Sequence, residues 1–185
     1  MRNRPVNLKH TVAAIGPLLL LCGSGWAEVA PPELLEKLRQ AAPAQAGRIA
    51  KEVTRYWARS GSAAMDLLLE RGRKAMEQGN FPLAIEHFTA LTDHAPDFAE
   101  GYHARAEAYF RSNLYGPALA DLEQALALNP NHFEAIFGFA VMVQEFGDPR
   151  RAAELYRRVL AIHPNHENAQ TALSRLKRDG IGREL

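Results

Sequence analysis

Cysteine is nearly absent from this chain of 185 residues, and Cys22 is its single example. An intramolecular disulfide and a cysteine-built zinc cluster are therefore excluded. Neither sign of charge is in real excess, since 22 lysines and arginines face 21 acidic residues for a net charge of +1. Without a basic stripe to draw phosphate backbones, nucleic acid is not an expected partner. Also missing are a phosphate-binding glycine loop, a dinucleotide fingerprint, a nucleophile elbow and an H-E-x-x-H helix. These gaps argue against an enzyme, a bound cofactor or a small-molecule substrate.

The first 27 residues hold Arg2, Arg4 and Lys9 with no acidic residue, then the apolar stretch Val12 to Cys22, then Gly25-Trp26-Ala27. A charged start, a short apolar region and a small-residue exit form the layout of a secretory signal, with cleavage after Ala27. The stretch falls short of the roughly 20 residues that a membrane-spanning helix needs. Removing the signal takes three cations from 22, leaving 19 against 21 acidic residues, a formal charge of −2 and no cysteine. The expected location is the bacterial periplasm, the bacterial setting following from the signal and the alanine- and arginine-rich composition. Retention of the signal as a membrane anchor is one alternative. Lipidation at Cys22 is another, although Leu21 stands where such a signal wants a small residue.

The rest of the chain repeats itself. Pro96, Pro130 and Pro164 are spaced 34 residues apart, in the contexts His94-Ala95-Pro96-Asp97, Leu128-Asn129-Pro130-Asn131 and Ile162-His163-Pro164-Asn165. Three units follow, 65–98, 99–132 and 133–166. Their eighth positions are Gly72, Ala106 and Ala140 and their twentieth are Ala84, Ala118 and Ala152, all small; the twenty-fourth is Phe88, Leu122 and Tyr156, all large. Each unit reads as two helices with apolar residues at helical spacing, divided by Gln78-Gly79-Asn80, Ser112-Asn113-Leu114 or Phe146-Gly147-Asp148. Pro82, Pro117 and Pro149 fall in the first turn of each second helix, where a missing N–H does no harm.

With this period and these columns, residues 65 to 166 resemble the tetratricopeptide repeat family. The resemblance implies an all-α, right-handed solenoid of helix-turn-helix repeats, with Leu68, Tyr102 and Ile136 departing from the tryptophan frequent at position four. It also implies that positions two, five, nine and twelve of each first helix line a concave face. The candidate partner-binding residues there are Leu69, Arg73, Met76, His103, Glu107, Phe110, Phe137, Val141 and Gln144. Chaperone-binding members hold a terminal carboxylate with lysine, asparagine and arginine at positions five and nine. The corresponding places here hold Leu69 and Arg73, Glu107, and Phe137 and Val141, so the resemblance does not extend to that clamp. The apolar candidates instead form an expected patch of Leu69, Met76, Phe110, Phe137 and Val141, bordered by Arg73, His103 and Glu107.

Two further segments bracket the repeats. Residues 165–178 carry the stripe Ala169, Ala172, Leu173 and Leu176 and read as a capping helix, ended by Gly180. Residues 28–61 read as a helical extension, with Ile49, Val53 and Trp57 at helical spacing, expected to cover the open face of the first repeat. The histidines fall mostly at corners between repeats, so no metal site is expected; Glu100 and Glu107 are expected on a solvated surface. The function predicted is a protein-binding adaptor, scaffold or assembly factor whose partner is another protein or peptide segment. It meets a membrane only through an uncleaved signal. A self-associating structural subunit is the alternative, and a metal-dependent enzyme ranks below both.

Overall fold

The computed structural model describes residues 30–180, and every regular element among them is helical. The expected signal peptide, with Cys22, lies outside the described residues. In chain order the elements are α1 (Pro32–Arg39), α2 (Pro43–Trp57), α3 (Ala63–Glu77), α4 (Phe81–His94), α5 (Ala99–Arg111), α6 (Tyr115–Leu128), α7 (Phe133–Glu145), α8 (Pro149–Ile162) and α9 (Glu167–Arg178). Helices α3 with α4, α5 with α6 and α7 with α8 pack as hairpins, each stacked on the next, and α9 closes the array against α8.

Local chemistry makes the hairpins. Gly79, Asn113 and Gly147 hold φ of 72°, 61° and 88°, a left-handed turn that glycine and asparagine enter most readily. The side chains of Asn80 and Asp148 then cap α4 and α8 by accepting from the N–H of Leu83 and Arg151. Within each hairpin the small residues at positions eight and twenty are buried, and Phe88, Leu122 or Tyr156 fills the space they leave. At Gly72 the approach is so close that an added Cβ would lie 2.2 Å from the ring of Phe88.

Within the second hairpin, Arg105 on α5 donates from Nε and Nη2 to both carboxylate oxygens of Asp121 on α6, at 2.7 and 2.8 Å. Its Nη1 reaches Thr92 Oγ1 on α4 at 2.7 Å, so one guanidinium ties three helices together.

The core divides in two. Leu69, Ala75, Ala84, Phe88, Leu91, Phe98, Ala104 and Ala108 form the core of the first repeat, while a larger cluster runs through the second and third repeats into α9. Leu34, Leu35, Leu38, Ile49, Val53 and Trp57 belong to that larger cluster. The extension therefore does not cover the first repeat, as its sequence position led us to expect. It forms a strap over the corners of the later repeats. Trp57 stacks on His132 at 4.6 Å and meets Phe133 at 5.1 Å; α1 lies against α8, and Asn165 Nδ2 donates to the carbonyl of Ala41 at 2.8 Å. The physical reason is polarity. The hollow on α3 sets Ala58 and Leu69 among the charged Asp66, Glu70, Arg73, Lys74 and Glu77, whereas the corners of α7, α8 and α9 offer Phe133, Ile162 and Ala169 to a stripe of leucine, isoleucine and tryptophan.

Candidate functional site

A groove of about 450 Å³ opens between α5 and α7. Its walls carry His103, Glu107 and Phe110 from α5 and Glu134, Phe137, Gly138 and Val141 from α7, over a floor that includes Leu122 and Met142. The two phenylalanines are braced: Phe110 sits edge-on to Tyr115 at 5.7 Å, while Phe137 meets His166 at 5.0 Å and Tyr156 at 5.7 Å. Phe137 and Val141 continue into a second hollow with Gln144, Glu145, Thr171 and Arg175, which extends the surface onto the capping helix. There the hydroxyl of Tyr156 donates to Gln144 Oε1 at 3.0 Å.

Five of the nine sequence-derived candidates thus converge on one groove: His103, Glu107, Phe110, Phe137 and Val141. Gln144 joins through the second hollow. Leu69 needs correction, because it is 2 % exposed within the first repeat's core and reaches only the charged hollow on α3, away from this groove. Met76 packs against that same core, so the apolar patch narrows to the second and third repeats. Arg73 is exposed, but its guanidinium pairs with Glu100 instead of standing free at the rim.

Glu100 is a second correction: it is buried, not solvated. Its carboxylate accepts from Arg73 and from His132 Nε2 at 2.8 Å and lies 3.3 Å from His103 Nδ1. Burial opposes its ionisation, yet the two histidines hold its pKa well below the usual carboxylate range. Burial likewise works against charge on His103, but Glu100, Glu107 and Glu134 outweigh it and raise its pKa. In His132, burial and then repulsion from His103 prevail, and the pKa is lowered.

Among the described residues, Glu100, His103 and His132 offer ligand atoms within 4.8 Å of one another, the usual starting point for a cation site. The helix cap decides otherwise. His132 Nδ1 accepts from the N–H of Ala135 at 3.2 Å, so the neutral ring carries its proton on Nε2 and donates it to Glu100. A metal at Nε2 has to displace that proton and break the cap. The same device recurs at His166, whose Nδ1 caps α9 at Ala169 while Nε2 faces Glu134 at 3.6 Å. Reading columns down the repeats would have found it, because position two is acidic in every unit and the last position is histidine in two. In the first unit Phe98 replaces the histidine, and Asp66 accepts from Ser60 instead.

Two family models described as tetratricopeptide repeat match residues 69–132 and 112–176. A TPR repeat-containing protein of Rhizobium etli is 30% identical over 155 residues, covering 81% of this chain and 76% of that protein. The chain belongs to the tetratricopeptide repeat family. Among solved TPR structures, the first TPR of Spaghetti (RPAP3) bound to the HSP90 peptide SRMEEVD superposes with a TM-score of 0.60 at 29% identity, over 62% of this chain and 91% of that one. The crystal structure of MamA shares the fold at a TM-score of 0.59 and 22% identity, over 79% of this chain and 84% of that one. The Saccharomyces cerevisiae small glutamine-rich tetratricopeptide repeat-containing protein 2 is 34% identical over 120 residues, which span 64% of this chain but 33% of that protein.

Proposed function

We propose that this TPR chain is a protein-interaction module that holds a segment of another polypeptide in the groove between α5 and α7. It then acts as an adaptor or assembly factor of the bacterial cell envelope. The single observation that carries this reading is the groove itself: two braced phenylalanines and Val141 in a concave space large enough for several side chains. Rigid aromatic anchors in a concave site are what protein recognition uses most. The HSP90 peptide bound by the neighbouring TPR domain supports a polypeptide ligand. The envelope location rests on the leader Arg2 to Ala27, with its cations, apolar stretch and small-residue exit.

The test compares the exported parent chain with its Phe110→Ala/Phe137→Ala variant, by affinity purification and mass spectrometry. A partner recovered with the parent should be lost from the variant, while the far-ultraviolet helical signal is retained. Recovery of the same partner by both chains moves the binding site away from this groove.

A further inference from the structure

The charges around the groove point to the class of segment it takes. Two glutamates, Glu107 and Glu134, stand over Phe110, Phe137 and Val141; the basic groups on this surface are His103 between them and, in the adjoining hollow beside Glu145, Arg175. Glu107 is exposed and has no salt-bridge partner among the described residues. Glu134 is part-exposed and lies 3.6 Å from the histidine that caps α9, with His103 and His132 as its further basic neighbours. The nearest arginine of the first repeat, Arg73, is spent on Glu100. Burial opposes the charge of Glu134, but His166 and the other histidines hold its pKa below the ordinary carboxylate value, so it stays ionised at neutral pH.

We propose that the groove selects segments of other proteins in which bulky apolar side chains are flanked by lysine or arginine, and rejects acidic ones. The apolar anchors fill the space between the two phenylalanines, and the flanking cations meet Glu107 and Glu134. An acidic peptide such as SRMEEVD, bound by the neighbouring TPR domain, brings carboxylates to a rim that already holds two. Like charges so placed repel, and opposite charges set the choice among partners more than they set the total affinity. This inference rests on the groove being the binding surface.

Three capped synthetic peptides test it by fluorescence anisotropy against the full chain. They share two leucines and a phenylalanine at helical spacing and differ only in flanking lysine, glutamine or glutamate. At low salt the lysine peptide should bind about tenfold tighter than the glutamate peptide, with glutamine between, and the gap should shrink in 0.5 M salt. Glu107→Lys leaves one glutamate facing one lysine across the groove, so the preference for the lysine peptide over the glutamate one should vanish. Equal binding of all three peptides by the parent chain, or tighter binding of the glutamate one, overturns the charge selection. The groove reading survives that result if Phe110→Ala/Phe137→Ala abolishes binding, and fails if this variant binds as the parent does. Absence of binding by any peptide overturns the proposed class, as does a parent dimer in light scattering that the double variant splits, since a second copy then fills the groove.

Discussion

At single residues, the fold turns on how much space is left beside a backbone. Gly72 has none: its Cβ would press into the ring of Phe88, which is 1 % exposed and has nowhere to go. Gly138, on α7, would meet Leu122 no closer than 3.7 Å. Alanine gains about 1 kcal/mol over glycine in a helix interior, whereas overpacking a closed contact costs about 1–3 kcal/mol. Gly138→Ala should therefore hold or raise the thermal midpoint and Gly72→Ala should lower it; a Gly72→Ala chain as stable as its parent contradicts the packing described. The small and large columns that create these contacts were legible as soon as the repeat was counted. The meeting of Glu100 with His132 was not legible in hydrophobic spacing, only in the acidic and histidine columns, because its partners lie 32 residues apart and meet once α5 and α7 are stacked. Nor was Arg105, whose role across three helices leaves no mark on hydrophobic spacing.

The helices and their turns were equally readable, since caps, left-handed turns and apolar stripes are local. Where α1 and α2 dock was not. An amphipathic stripe says that a helix buries one face, not which surface receives it, and the nearest repeat in sequence proved too polar. The docking places His132 under Trp57 and His163 at the corner where Asn165 holds the strap. Both histidines have lowered pKa values, His163 through burial and then the neighbouring His166. As pH falls below the ordinary histidine value of 6.5, the undocked or unfolded chain takes up these protons first, so stability is full above that value and declines below it. Glu100 and Glu134, both lowered, add a loss in the same direction below 4.5. His103 acts oppositely, its contribution being present at low pH and lost as pH rises through its raised value. The groups facing His132 are Glu100 and His103 on α5 and Glu134 on α7, and of the three histidines His132 and His163 are the two at the strap's docking corners. In a Trp26→Phe chain, where Trp57 is the sole tryptophan, emission should shift to the red between pH 7 and pH 5 as the strap loosens. Emission unchanged across that range contradicts the account.

On the scale of the whole molecule, stacked hairpins bring α5 and α7 side by side, and the groove is the space their first helices leave between them. The sequence located its walls to within a few residues, because the family resemblance says which positions face inward. It could not say that the first repeat seals its own core around Leu69 and so contributes little to the lining. Site-specific photo-crosslinking in the producing cell tests the central claim, with a photoreactive phenylalanine at Val141 in the groove or at the exposed Glu123 on the outer helix α6. The account predicts an adduct with another polypeptide from position 141 and none from position 123. Adducts from position 123 alone would place the contact on the opposite face and contradict it.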